Sequence, residues 1–244
     1  MLRERSSGYQ RGVPRPSTAA VDAVAPHLAD AIAEYKPRLR GWLHAATAPL
    51  ALLAGTVLVA LSPPGAPRTG SAIFAACALV LFTVSATMHR GHWSPRMNTV
   101  LTRLDHACIF LLIAGSYTPF TLLLLEGHDR VVLLSVAWGG AALGIAFRLL
   151  HPDAPRWVYT PIYIALGWAA IFYAGDFAHY TGTVVVVLLA VGGLLYTLGG
   201  VVYGLRRPNP IPQWVGFHEV FHFLTVVAFA AHYTGVSIAS YSLR

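Results

Sequence analysis

Long uncharged apolar runs alternate with short polar segments along most of this chain. The stretches 41–67, 69–89, 177–205 and 220–243 contain no Asp, Glu, Lys or Arg. Uncharged apolar runs of about 18 or more residues are typical of membrane-spanning helices. The pattern therefore predicts an all-α, polytopic membrane protein. Seven spans are predicted, at roughly 42–62, 70–89, 105–125, 131–150, 157–175, 181–205 and 214–236.

Composition supports this fold class. Hydrophobic residues make up 56% of the chain and charged residues 11%, whereas soluble domains have about 45–50% and about 25%. The net charge of +7 is therefore better explained by membrane topology and by contact with anionic lipid headgroups than by nucleic acid, which we do not expect as a partner. Cys77 and Cys108 both lie inside apolar spans, so no disulfide is expected.

The basic residues are unequally divided between the two predicted sides of the membrane. The N-terminal tail and the loops on its side carry 14 of the 17 Lys and Arg residues, and the other side carries three. Because basic residues are enriched in cytoplasmic loops, we expect a cytoplasmic N-terminus and an outside C-terminus. The scarcity of lysine, one against 16 arginines, points to a GC-rich bacterial genome, and hence to a bacterial cell membrane.

We expect two regions, a basic cytosolic tail over 1–41 and the membrane domain over 42–244. No continuous apolar core of a secretory signal peptide occurs in the first 40 residues. The tail segment "DAVAPHLADAIAEY" has apolar residues at near-helical spacing. It is consistent either with a short amphipathic helix on the membrane surface or with a partly disordered tail.

Ionisable residues from three spans are predicted at the same depth, near the cytoplasmic face. His89 ends the second span, Asp105 and His106 begin the third, and His218 and His222 lie in the first two turns of the seventh. Ionisable groups inside a membrane are costly and therefore mark functional sites. Their shared depth follows from topology alone and predicts one polar cluster.

Three imidazoles at one depth suit zinc. A spacing of four places His218 and His222 on one helix face, and His89 completes a three-histidine set that leaves one coordination position for water. Asp105 would accept a proton from that water. Ser85, one turn before His89, would either orient a ligand or donate to a developing oxyanion. Zn²⁺ is thus the expected cofactor, with Asp105 and Ser85 as candidate catalytic residues.

Each of these residues also has a simpler interpretation. The two histidines of the seventh span could hydrogen-bond backbone or headgroups, and His89 could be an interfacial residue beside Arg90. Asp105 could pair with Arg103 or favour a helix N-terminus through the macrodipole. Ser85 could be a small residue for close helix packing.

The other histidines are weaker candidates. His106 points about 100° away from Asp105 and is expected either to support the ligands from behind or to serve helix packing, rather than to be a ligand itself. The remaining six are expected at span ends or in loops and are left out of the site: His44, His92, His128, His151, His179 and His232.

Three motifs in this order resemble those of a known family. The stretches are "SATMHR", "RLDHACIFLLIAGSYTPF" and "HEVFH". Across seven spans they resemble the hemolysin III branch of the progestin and adiponectin receptor (PAQR) family. "KPRLRGWLH" also resembles the entry to the first helix of such proteins. The resemblance covers the chain from Lys36 onward and maps the family's zinc ligands, aspartate and serine onto the residues already selected.

The resemblance implies several activities. Related membrane proteins, including alkaline ceramidases, are zinc-dependent hydrolases of lipid amides, so a lipid amide or ester is the expected substrate at the inner leaflet, with a role in membrane homeostasis. The first alternative is a non-catalytic, zinc-stabilised membrane sensor in which Asp105 is a fourth ligand. The second is a pore-forming cytolysin, and the sequence does not define the oligomeric state. "HEVFH" also matches the H-E-x-x-H pattern of zinc metalloproteases, but here it begins a membrane span and its third histidine lies upstream.

Overall fold

A computed structural model describes residues 37–242 of the chain. Within this part, seven segments are long and apolar enough to cross a membrane, and the fifth is the composite segment 156–181. The predicted all-α fold with seven spans is confirmed. The tail segment "DAVAPHLADAIAEY", for which an amphipathic helix and a partly disordered tail were both open, lies outside the described residues. The helices are α1 (Trp42–Leu61), α2 (Ala66–Arg90), α3 (Pro95–Leu124), α4 (Gly127–Leu150), α5 (Arg156–Gly167), a 3₁₀-helix (Ala169–Tyr173), α6 (Ala174–Thr181), α7 (Thr183–Leu205) and α8 (Phe217–Tyr241).

Helix α3 begins earlier than predicted. The third span was predicted at roughly 105–125, but the helix starts at Pro95 and runs for 30 residues. The Ser94 hydroxyl accepts a hydrogen bond from the Met97 N–H at 3.3 Å and so caps the helix. Proline in the first turn needs no donor, so the Ser-Pro pair starts a helix here.

The fifth span is broken and longer than predicted. It was predicted at roughly 157–175, but α6 extends it to Thr181. Between α5 and α6 the Tyr117 hydroxyl lies 2.9 Å and 2.7 Å from the carbonyl oxygens of Leu166 and Gly167. The same oxygen accepts from the Ala170 N–H at 3.1 Å. Irregular backbone inside a membrane must be satisfied by protein, and Tyr117 does this at the break.

Helix α3 lies at the centre of the bundle. In the most apolar 18-residue stretch of α3, 72% of the residues are buried, against 11–44% in the corresponding stretches of the other six spans. It packs against α2, α4, α5, α6 and α8. The approach to α2 is close because Gly70 has no side chain: a Cβ there would lie 2.7 Å from the Pro119 Cα. This packing carries Asp105 into the interior of the bundle.

Alternating crossings bring the starts of α1, α3, α5 and α8 to the same end as the ends of α2, α4 and α7. We call it the basic end, because it holds nine of the eleven Lys and Arg residues in the described part of the chain. The positive-inside rule makes this end cytoplasmic, and that orientation stays a prediction.

Candidate metal centre

Three histidine side chains meet at the basic end. His89 lies in the last turn of α2, and His218 and His222 lie in the first two turns of α8. One ring nitrogen from each lies within 4.8 Å of the others. All three residues are buried, at 6%, 8% and 1% exposure. Two distant parts of the sequence thus form one compact imidazole cluster.

The spacing of this cluster fits a divalent ion. Two nitrogens on a tetrahedral zinc with bonds of about 2.1 Å lie about 3.4 Å apart. The Nε2 atoms of His89 and His218 are 3.0 Å apart, so small movements would reach that spacing. The buried Nδ1 of His222 has no hydrogen-bond partner in the described part of the chain. The geometry therefore fits the three histidine ligands predicted from the sequence. That the bound ion is zinc stays a prediction.

Asp105 and Ser85 lie beside the cluster. An Asp105 carboxylate oxygen is 4.0 Å from the His89 Nε2. The buried Ser85 hydroxyl approaches the Asp105 carboxyl without the geometry of a hydrogen bond. The ion pairs found among residues 37–242 do not join Asp105 to Arg103. Asp105 is also ten residues beyond the helix start at Pro95, too far for a role at the helix N-terminus. Of the three interpretations open for Asp105, its place beside the histidines fits the structure.

His44 was left out of the predicted site, yet the structure places it against the cluster. Its ring stacks on that of His222 with centroids 3.7 Å apart and planes at 12°. His44 is 2% exposed, and neither ring nitrogen has a partner among the described residues. A depth argument could have found it, since α1 begins at the basic end and His44 lies in its first turn. Stacking on His222 restrains the orientation of a candidate ligand.

His106 takes no part in the cluster. Its Nδ1 accepts a hydrogen bond from Arg148 at 2.9 Å, and its Nε2 lies 2.9 Å from the Tyr203 hydroxyl. These contacts join α3, α4 and α7, which agrees with its predicted packing role. His92, His128, His151 and His179 are exposed. His232 is buried away from the cluster, and it is discussed below.

Glu219 of the "HEVFH" motif has a structural role. One carboxylate oxygen accepts the Gly216 N–H at 2.8 Å, which caps α8. The other oxygen forms an ion pair with Arg40, just before α1. Its carboxylate is thus engaged at the helix start, unlike the glutamate of a metalloprotease, which serves as general base.

The segment before α1 is fastened to the segment before α8. The Arg38 N–H donates to the Gln213 carbonyl at 3.0 Å, and the Leu39 N–H donates to the Trp214 carbonyl at 3.3 Å. With the Arg40–Glu219 ion pair, these contacts form what we call the entry clasp. Because the clasp holds the first turn of α8, it supports the position of the candidate ligands there.

Gly41 follows the clasp and touches a candidate ligand. Its φ is +81°, and a Cβ there would lie 2.5 Å from the Cβ of His89. Gly41→Ala should therefore lower the affinity for metal by about tenfold or more, because loss of a residue that orients a metal ligand reduces metal affinity by about 10–100-fold. Zinc titration of the purified variant measures this effect.

Gly65→Ala is the matched control for that variant. Gly65 has a similar φ of +89°, but a Cβ there would meet nothing within 4 Å. Both variants place a side chain on a backbone of positive φ, which strains any residue other than glycine, and only Gly41→Ala displaces His89. Equal metal affinity in the two variants would contradict the role given to this contact.

An internal cavity opens from the cluster into the bundle. Its volume is about 380 Å³. At the basic end it is lined by His218, His222 and Asp105, and at its far end by Phe177 and Val186. Most of the lining between them is apolar, from α3, α5, α6, α7 and α8. The cluster is therefore placed at one end of a deep apolar cavity.

Seven spans with a buried three-histidine cluster at one end define a class of multi-pass membrane protein. The family model "Haemolysin-III related" matches residues 33–233, and the chain belongs to this family. The predicted membership of the hemolysin III and PAQR group is confirmed.

Several curated relatives are similar to this chain. Hemolysin-3 of Bacillus cereus is 34% identical over 54% of this chain and 59% of its own length. The Hemolysin-3 homolog of Bacillus subtilis is 31% identical over 54% of this chain and 61% of its own length. An adiponectin receptor protein of Drosophila melanogaster is 28% identical over 59% of this chain and 36% of its own length. The matches thus span about three fifths of the Bacillus proteins.

Proposed function

We propose that this protein is a metal-dependent hydrolase of a lipid amide or ester, acting at the basic end of the bundle with a role in membrane homeostasis. The observation that carries the proposal is the continuity between the histidine cluster and the apolar cavity. A polar cluster at the mouth of an apolar cavity suits a substrate with a polar linkage and a long chain. We place it in a bacterial cell membrane.

Five side chains would have three different roles in the proposed hydrolysis. His89, His218 and His222 would hold Zn²⁺, which when bound supplies Lewis-acid chemistry that activates water at neutral pH. Asp105 would take the proton from the attacking water, since its carboxylate lies next to the cluster. The Ser85 hydroxyl has no geometric hydrogen-bond partner among residues 37–242 and would donate to the oxyanion.

The cavity would position the substrate. Its apolar wall would bind the acyl chain and exclude water from it, with the scissile carbonyl at the histidine end. Entry between helices from the adjacent leaflet suits a lipid, because the chain would pass from the bilayer into the cavity without crossing water.

One observation favours a second candidate, a structural metal site. The Asp105 carboxylate is 4.0 Å from His89 Nε2, close enough for a small movement to make it a fourth ligand. Structural zinc sites are closed by four protein ligands. The protein would then be a zinc-stabilised sensor of the membrane rather than an enzyme.

Metal removal tests the proposed function. The purified protein should release fatty acid from a ceramide or an ester lipid, lose this activity on dialysis against chelator, and regain it when Zn²⁺ is returned. Failure of the wild-type protein to cleave any acyl amide or ester would overturn the hydrolase. A fall in melting temperature without lost turnover would favour the structural site.

Dye release from liposomes tests a third candidate function, the formation of a pore. The relatives named Hemolysin-3 raise the pore-forming alternative. Dye release by the wild type that persists without metal would support a pore and contradict the hydrolase.

A further inference from the structure

Two polar groups deep in the cavity lack hydrogen-bond partners. The Tyr196 hydroxyl on α7 and the His232 Nδ1 on α8 are buried and unpartnered among residues 37–242. Both residues line the cavity, and their rings lie 5.4 Å apart in an edge-on arrangement. His232 is only 9% exposed. A buried polar atom without a partner costs free energy, so this pair calls for a ligand.

Most other hydroxyls that line the cavity are already satisfied. Ser116, Thr197 and Thr225 donate to the Ile113, Gly193 and Phe221 carbonyls of their own helices, at 2.8–2.9 Å. Ser85 and Thr160 are unpartnered in the described part of the chain, but Ser85 lies one turn before His89 and Thr160 in the first turns of α5, both near the basic end. Tyr196 and His232 therefore stand out as a pair beyond the histidine cluster.

The orientation of His232 defines which hydrogen bond it offers. Its Nε2 lies 3.4 Å from the Leu189 carbonyl oxygen. A carbonyl can only accept, so Nε2 carries the proton and the Nδ1 of the neutral ring is an acceptor. Packing holds this orientation, since a Cβ at Gly192 would lie 2.3 Å from the His232 ring. His232 Nδ1 therefore requires a donor.

Tyr196 supplies the complementary group. Its hydroxyl can donate one hydrogen bond and accept others. A ligand hydroxyl can donate to His232 Nδ1 and accept from Tyr196 at once, whereas a methylene satisfies neither group. The pair is thus chemically matched to an alcohol.

The distance between His232 and the histidine cluster determines where that hydroxyl must lie along an acyl chain. His232 follows His222 by ten residues on α8, which is about 15 Å along the helix axis. A fully extended chain advances about 1.2 Å per bond, so this distance corresponds to about 12 bonds. We infer that the cavity selects acyl chains with a hydroxyl about 12 bonds from the carbonyl that faces the histidine cluster. The inference rests on the proposed function and specifies its substrate class.

Fatty-acid binding tests this selection without any hydrolysis. Stearic, 12-hydroxystearic and 2-hydroxystearic acids would compete with a fluorescent fatty acid for the zinc-loaded protein in detergent. The wild type should bind the 12-hydroxy acid at least about fivefold more tightly than stearic acid, since two new hydrogen bonds replace two unmade ones. The 2-hydroxy acid, whose hydroxyl stays at the histidine end, should show no such gain.

Two variants assign the preference to the pair. Tyr196→Phe removes only the unpartnered hydroxyl, so the protein should fold normally and lose the preference for the 12-hydroxy acid. His232→Leu should lose it too. Tyr233→Phe is the matched control, because the Tyr233 hydroxyl donates to the Ala54 carbonyl and not to the cavity.

The outcomes separate the inference from the proposed function. Equal binding of stearic and 12-hydroxystearic acids by the wild type, or a preference that survives in Tyr196→Phe, would overturn the inference and leave the acyl cavity intact. If none of the three acids binds, the lipid cavity of the proposed function fails as well.

Discussion

Purified His218→Ala protein is expected to retain less than about a hundredth of the wild-type affinity for zinc. His218 lies at the centre of the cluster, with its Nε2 3.0 Å from that of His89. Loss of a residue that merely orients a ligand costs about 10–100-fold in metal affinity, and loss of a ligand should cost more. Elemental analysis after gel filtration measures the metal retained per chain.

His179→Ala is the matched control for this variant. His179 is exposed in α6, away from the basic end, so its loss should leave the metal content unchanged. If His218→Ala bound as much zinc as the wild type, His218 would not be a ligand and the metal centre would have to be abandoned. A melting curve of the metal-free wild type shows how much of any instability comes from metal loss.

Asp105→Asn should reduce the hydrolysis rate by about 10²–10⁴-fold, the usual contribution of a general base. Asparagine keeps the shape of the side chain but cannot accept the proton. Because the carboxylate lies beside the cluster, the assay should be run with saturating zinc, so that weaker metal binding does not lower the measured kcat. The rate of fatty acid release from one lipid substrate, measured for both proteins, gives the hydrolysis rate.

The same variant distinguishes the two candidate roles of Asp105. If the carboxylate closes a structural site as a fourth ligand, Asp105→Asn should lose zinc and melt at a lower temperature, with no turnover to lose. Asp129→Asn controls for a change of charge, since Asp129 is exposed in the first turn of α4. Full hydrolysis by Asp105→Asn would rule out the general base.

Topology was the most informative feature of the sequence. The meeting of His89 with His218 and His222 followed from counting crossings, because each crossing reverses the chain and so determines the end at which a residue lies. The membrane imposes this regularity, since apolar spans must traverse it completely. A soluble fold of the same length offers no such constraint.

The contacts of His44 could not be predicted in the same way. Depth alone brings His44 to the basic end, but its stacking on His222 depends on α1 packing beside α8. The order of spans along the chain does not define which of them are neighbours. Side-chain stacking adds a requirement on helix rotation that hydropathy does not report.

The broken fifth span shows a different limit. The fifth span was predicted to end near residue 175, before the polar residues of "GDFAHYTG". These residues nevertheless form most of α6, with Asp176 exposed in its first turn. The break lies earlier, where Tyr117 binds the freed backbone groups. A long-range partner on α3 determines this break, and the local sequence does not.

The entry clasp has a consequence for mechanical coupling. It joins the segments that precede the first and last crossings at the basic end, so α1 and α8 are linked outside the helices as well as by the packing between them. A pull or a charge change on the polypeptide preceding Arg38 would be transmitted through two backbone hydrogen bonds and one ion pair to the turn that bears His218. The segment that begins at Arg38 is thereby connected by a short path to the turn that holds a candidate metal ligand.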